Sequence, residues 1–320
     1  MKSTTARWPA HTLAMTVFSM MSMLMGTAMA DEHDSNAQVL VTADWLAAHI
    51  DDPNLVVLDC TVLFGPGEDG QQTVSSGQSA FEAGHIPGAA FADLTGSLSD
   101  PEMPMRFRVP EPDTFAAAMS ALGVSDDSRV ILYDGTGSMW AARVWWMLRW
   151  IGFDNAAILD GGINAWKAGG HAVTADVTTP EPGSLSVSLR PELIADSDDV
   201  LAAIGDDSTA LVDALPEPQY LGEQSMYARP GHIASATNVP VFSVMDETGR
   251  FKSKDELRSL FAPHAGERTI HYCGGGIAAS GTAFAMALAG YDDVAVYTNS
   301  LQEWSVDPEK PMETGPSEPR

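Results

Sequence analysis

The first half of the chain recurs, in order, in the second. "VVLDC" (Val56 to Cys60) resembles "ALVDA" (Ala210 to Ala214), each a short apolar run reaching an aspartate. "FEAGHIPGAAFADL" (Phe81 to Leu94) resembles "YARPGHIASATNVPV" (Tyr227 to Val241). Val130 to Trp166 then resembles Thr269 to Trp304, with Gly152-Phe153-Asp154 and Trp166 matching Gly290-Tyr291-Asp292 and Trp304 at one constant offset. A repeat this long is a duplicated domain of roughly 120 to 140 residues, not a short-period solenoid. The chain therefore divides into residues 39–175 and 193–316, joined at 176–192 by the Pro-, Ser- and Thr-rich "DVTTPEPGSLSVSLRPE".

Within each copy, short apolar runs (Val56–Leu58, Val130–Tyr133, Ala157–Leu159; Ala210–Val212, Thr269–Tyr272, Val294–Tyr297) alternate with helical stretches. That alternation predicts an α/β fold, two tandem domains each with a parallel sheet and helices on both faces. Such sheets bind ligands beyond the carboxyl ends of their strands. Cys273 falls there, between the strand Thr269–Tyr272, the glycines Gly274, Gly275 and Gly276, and a helix of small residues from Ile277 to Ala289. Without side chains, those glycines let successive N–H groups turn toward one point, and the helix N-terminus adds partial positive charge. The sequence thus predicts a thiol held as a reactive thiolate in a backbone cradle. In the first copy Asp134 stands at the position of Cys273, and its loop is one residue longer, so that copy is expected to be inactive and to shape the cleft.

Composition narrows the function classes. Acidic residues number 43 against 17 basic ones, which argues against nucleic acid or an anionic membrane as partner and requires any anionic substrate to be drawn in locally. Lys2 and Arg7, the apolar stretch Leu13 to Met25 and "GTAMA" before Asp31 read as a secretory signal peptide over residues 1–30, so a periplasmic or secreted protein is expected, free of the membrane once cleaved. The two cysteines, Cys60 and Cys273, cannot build a disulfide framework. There is no CxxC, HExxH, GxGxxG or Walker-type loop, so neither metal nor cofactor is expected. Two domains in one chain can build a cleft between themselves, which makes a monomer the expected state.

Several stretches together resemble the tandem-domain rhodanese family of thiosulfate and 3-mercaptopyruvate sulfurtransferases: "GHIPGA" (Gly84 to Ala89), "WWMLRW" (Trp145 to Trp150), "LDGGINAW" (Leu159 to Trp166), "FKSKDELRSLF" (Phe251 to Phe261), the Cys273 loop, and "SVDPEKPMETG" (Ser305 to Gly315). The resemblance covers roughly Val39 to Gly315. It implies an inactive first domain, a catalytic second one, and a six-residue loop from Cys273 to Ala278. It also implies a mechanism. The Cys273 thiolate takes the outer sulfur of a small anionic donor, becomes a persulfide steadied by the N–H groups of Gly274, Gly275, Gly276, Ile277, Ala278 and Ala279, and passes the sulfur to cyanide or a thiol without a cofactor.

This sequence departs from the family pattern at several positions. Members using mercaptopyruvate carry Ser and Thr where Gly275 and Ala278 stand, and the Ser–His–Asp relay proposed for them keeps only His85, with Gly275 for Ser and Val74 for Asp. The loop lacks the basic residue of vertebrate thiosulfate-using members, and the arginine of "VDAR" is Leu215. These departures favour thiosulfate as donor, with 3-mercaptopyruvate the alternative. Arg229 matches a position that faces the substrate anion. His85 and His232 read as turn residues bonded to backbone, Asp59 and Asp213 as acceptors for loop amides, and Cys60 as a packed thiol. Trp140, Trp145, Trp146, Trp150 and Trp166 read as core and interface, with Trp140 at the cleft and Arg143 bracing the interface. A persulfide carrier that docks on another protein is the competing reading. A Cys phosphatase is excluded, because its phosphate-binding Arg position is Ala279 here.

Overall fold

The computed structural model describes residues 1–3, 39–66, 72–101 and 105–317. The proposed signal peptide, apart from its first three residues, lies outside the described residues.

Two five-stranded parallel sheets carry the repeat. In the first, the order across the sheet is Leu40–Val41, Ala156–Leu159, Arg129–Tyr133, Leu55–Asp59 and Ala90–Phe91. In the second it is Ile194–Ala195, Val294–Tyr297, Arg268–Tyr272, Thr209–Asp213 and Thr237–Asn238, the same arrangement strand for strand. Even the central register repeats: Leu55 to Asp59 lie beside Arg129 to Tyr133, and Thr209 to Asp213 beside Arg268 to Tyr272.

These strands read as unbroken apolar runs because both faces are covered. Val130 and Leu132 point into one buried cluster and Ile131 and Tyr133 into another, as the two-residue period of a strand requires. The first of these clusters runs without interruption into the second copy, so the two sheets share one core. The helices Met139–Trp150 and Ile277–Ala289 meet there, with Trp145 edge-on to Phe284 at 4.8 Å between ring centroids. All of this lies in one compact unit, which takes in the described residues from 39 onward.

The duplication extends to single bonds. His85 stacks on Phe81 and His232 on Tyr220, each at 3.8 Å, and each Nδ1 lies 2.8 Å from its partner's carbonyl. Asp59 accepts from the Thr61 amide and Asp213 from the Leu215 amide. After the helix Gly162–Ala168 and a bridge from Thr174 to His85, residues 175–190 have no regular secondary structure, but are tied to the first copy through Ser186 to Asp126 and a two-bond contact of Arg190 with Asp154 at 2.6 Å. After Trp304 the chain lies along the second copy, where Met312–Glu313 pairs antiparallel with His232–Ile233.

One element breaks the symmetry. After the strand Leu55–Asp59 comes an antiparallel hairpin, Val62–Pro66 with Gln72–Ser76, which pairs Phe64 with Val74. The second copy has no counterpart to it among the described residues.

Candidate active site

The strand Arg268–Tyr272 delivers Cys273 to the carboxyl edge of the second sheet, and the helix Ile277–Ala289 starts four residues later. The thiol is 3% exposed and opens on a cavity of about 460 Å3 between the two copies. The loop between strand and helix is held from behind by the helix Ser300–Trp304. The Ser300 hydroxyl accepts from the Cys273 amide, and the amides of Leu301 and Gln302 donate to the carbonyls of Cys273 and Gly274.

Two of the glycines are required by their surroundings. Gly276 has φ +80°, and a Cβ there would lie 2.6 Å from the Thr298 carbonyl oxygen and 2.9 Å from Arg143 Nη1. Its amide donates to Cys273 Sγ at 3.1 Å. At Gly274 a Cβ would run into the Tyr227 hydroxyl.

The first copy shows what such a loop holds. There the side chain at the cysteine position is Asp134, whose Oδ1 accepts from the amides of Thr136 and Ser138, and whose Oδ2 accepts from Trp140 and Ala141, all at 2.7–3.0 Å. Ser138 corresponds to Gly276 and has the same left-handed backbone, with φ 58°. Trp140 and Ala141 correspond to Ala278 and Ala279, whose amides lie in the first helical turn and have no acceptor within the helix. In the second copy Sγ therefore occupies the place of one carboxylate oxygen. The amides that hold the other oxygen are left for an atom bonded to sulfur.

A positive charge lies behind the loop. Arg143, in the helix Met139–Trp150 of the first copy, is 1% exposed. Its Nη2 donates to the Phe107 carbonyl at 2.8 Å, while Nε and Nη1 have no partner. Burial lowers its pKa to about 10, and the nearby Cys273 works in the opposite direction. The Phe107 bond lies within the first copy, so Arg143 makes no hydrogen-bonded brace across the interface; it meets the second copy only through its unpaired edge, which faces Gly276 of the Cys273 loop. Tyr227 lines the cavity, and burial, then the proximity of Cys273, pushes its hydroxyl well above the usual tyrosine range. Gln302 joins the copies: its side chain accepts from the Arg106 amide at 2.9 Å and donates to the Arg106 carbonyl at 3.2 Å.

The structure brings Cys273, Gly274, Gly275, Ile277 and Ala278 onto the cavity wall, with Gly276 and Ala279 just behind it. Trp140, Leu215 and Val74 also line the cavity. Arg229 does not. Instead of facing an anion, its guanidinium donates to the carbonyls of Trp304, Ser305, Asp307 and Lys310, at 2.5–3.1 Å. It clamps the C-terminal segment, where the carbonyls follow a helix end and only that of Asp307 has a second donor, the Lys310 amide. His85 is fully buried against Phe81 and is absent from the cavity wall. Sequence reasoning missed Arg106, Tyr227, Phe242 and Gln302, which lie in loops and a short helix with no motif of their own. Among the described residues no group of three or more His, Cys, Asp or Glu is placed to hold a metal ion.

A family model described as Rhodanese-like domain matches residues 42–169 and again 196–307. The chain belongs to the rhodanese family. It is 36% identical over 290 residues to a probable 3-mercaptopyruvate sulfurtransferase of Pseudomonas aeruginosa, covering 88% of this chain and 99% of that one. It is 33% identical to the thiosulfate sulfurtransferase of Rattus norvegicus, covering 85% of this chain and 93% of the relative. Among solved structures, the 3-mercaptopyruvate sulfotransferase of Escherichia coli superposes with a TM-score of 0.73 at 33% identity, over 82% of this chain and 98% of that one. The rhodanese fold accounts for both sheets, and the double match for the repeat.

Proposed function

We propose that the protein is a sulfurtransferase that carries sulfur as a persulfide on Cys273. The observation that supports this most directly is the pair of equivalent loops. One holds the Asp134 carboxylate by four backbone amides, and the other presents Sγ with one of those amides used and the helix-start amides open. In the first step the Cys273 thiolate attacks the outer sulfur of thiosulfate, the sulfur–sulfur bond of the donor breaks, and sulfite leaves with the electron pair. The terminal sulfur of the resulting persulfide carries the negative charge to the position that Asp134 Oδ2 marks, where the amides of Ala278 and Ala279 stabilise it. In the second step a thiophilic acceptor, cyanide or a thiol, takes that sulfur and regenerates the thiolate. The loop glycines, the helix start and the buried Arg143 cation all act on the same charge.

A second donor, 3-mercaptopyruvate, is favoured by the names of the Pseudomonas aeruginosa and Escherichia coli relatives. The two donors are separated by intact mass after brief exposure to each, with Cys273→Ser as control. A gain of about 32 Da that the variant lacks marks one transferred sulfur. No gain from either donor, with Cys273 a free thiol, would overturn the reading. Loading without turnover to any acceptor would mark a carrier instead.

The proposal includes export. Its support is the pattern of residues 1–30, and it is tested by the mass of protein recovered outside the cytoplasm, which should begin at Asp31.

A further inference from the structure

We propose that the sulfur acceptor of this site is an apolar organic thiol, aromatic or branched, carrying no more than one carboxylate. The inference rests on the persulfide reading of Cys273 and concerns what enters the cavity in the second step.

Four features of the cavity point to that class. The first is its wall. Phe64, Phe107, Trp140, Leu215, Met226 and Phe242 surround the approach to Cys273, and Arg106 is the only charged side chain among the described lining residues. Phe107 and Trp140 already pack together at 5.2 Å between ring centroids, forming one side of a slot for a flat or branched group. The second is the rim. Phe64, Met226 and Phe242 are 52%, 53% and 58% exposed, and they converge on one opening from the first-copy hairpin, a loop and the 3-10 turn Val241–Val244. On a chain of net charge −26, a cluster of large exposed apolar side chains at a cavity mouth is the mark of a binding surface.

The third feature is size. A space of about 460 Å3 lies within the range that organic ligands occupy and corresponds to roughly fifteen waters. Cyanide or hydrogen sulfide would leave most of it filled with solvent against apolar walls. The fourth is charge. One guanidinium at the wall can meet one carboxylate. A second ionic group would face aromatic rings and a strongly acidic protein, and burying it unpaired is costly.

The chemistry needs nothing further. The acceptor thiolate attacks the outer sulfur of the Cys273 persulfide. A new sulfur–sulfur bond forms on the acceptor, the bond to Cys273 breaks, and Cys273 leaves with the electron pair as thiolate. The total charge is unchanged. The apolar part of the acceptor lies against Phe242 and Trp140, and any carboxylate lies outward at Arg106.

The test starts from full-length mature protein loaded with sulfur, with the persulfide confirmed by intact mass before any thiol is added. Discharge is then timed with benzyl mercaptan, 2-mercaptoethanol and 2-mercaptosuccinate, each rate expressed per thiolate. Benzyl mercaptan should discharge the persulfide at least tenfold faster than 2-mercaptoethanol, and the dicarboxylate should be slowest. In Phe242→Ser, at a half-exposed position that the fold does not depend on, and in Leu215→Arg, the ratio of benzyl mercaptan to 2-mercaptoethanol should fall at least fivefold. Equal rates for the three thiols, a faster dicarboxylate, no discharge by any of them, or an unchanged ratio in both variants would overturn the inference while leaving the persulfide reading standing. Absence of the persulfide in the first mass spectrum would instead remove the reading on which it rests.

Discussion

Gly276→Ala is the substitution for which the structure sets the clearest scale. Alanine at φ +80° costs about 1–2 kcal/mol in backbone strain. Its Cβ would also meet the Thr298 carbonyl and Arg143 Nη1 inside 3 Å. One is backbone and the other is a fixed buried guanidinium, so relief of the overlap costs about 1–3 kcal/mol more. The fold should therefore lose roughly 2–5 kcal/mol in urea denaturation if the loop stays in place. If the loop yields instead, the 3.1 Å bond from the Gly276 amide to Sγ is lost. A bond of that kind to a charged acceptor is worth about 1.5–3 kcal/mol, which slows sulfur capture roughly tenfold to a hundredfold. The assay pairs urea denaturation with the initial rate of persulfide formation followed by intact mass. Gly275→Ala is the internal control. Its Cβ overlaps the end of the Gln302 side chain, which must swing away and give up its two bonds to Arg106, so stability should fall by about 1–3 kcal/mol while the Gly276 bond to Sγ and wild-type loading are kept. Wild-type stability together with wild-type loading in Gly276→Ala would refute the account of the loop.

Arg143→Met should raise the thermal midpoint, because it removes a buried cation with two unpartnered nitrogens, yet slow sulfur capture about tenfold. Faster or unchanged capture would show that the guanidinium does not act on the site. Arg229→Ala should lose about 2–4 kcal/mol of stability by leaving the carbonyls of Trp304, Ser305 and Lys310 without a donor, with the apparent KM for the sulfur donor unchanged. A raised KM without loss of stability would restore Arg229 to the site. Burial lifts the Asp213 carboxyl from 3.8 to about 7, against bonds from Leu215 and Tyr272. The unfolded chain then releases that proton near pH 4 while the folded one keeps it to about pH 7, so this contribution to stability is complete at pH 4 and lost as pH approaches and passes 7. The difference in Tm between Asp213→Asn and wild type should accordingly grow from pH 4 to pH 7, and a difference that is flat or shrinks would contradict the assignment.

The sequence determined the parallel sheets and the place of Cys273, because both depend on local pattern. Apolar runs of strand length, repeated twice with helical stretches between them, leave few other ways to bury both faces. A cysteine between such a run and a glycine-rich helix start can only sit at the sheet's carboxyl edge. Asp134 was legible as the counterpart of Cys273, though not as the occupant of an equivalent cradle, since bonds from Thr136, Ser138, Trp140 and Ala141 exist only once the loop has closed.

Tertiary structure decided the surroundings of the sulfur. Arg143 belongs to the other copy and reaches Gly276 only because the helices Met139–Trp150 and Ile277–Ala289 pack together. Phe64, Arg106, Phe242 and Gln302 lie far apart in the chain and share a cavity only when the two sheets share a core. Arg229 shows the converse. Its match to a family position suggested an anion, but four carbonyls of a segment 75 to 81 residues away hold its guanidinium instead. Local pattern can name a reactive atom, because its reactivity depends on its nearest backbone. What that atom meets is set by contacts between distant segments, and those follow from packing.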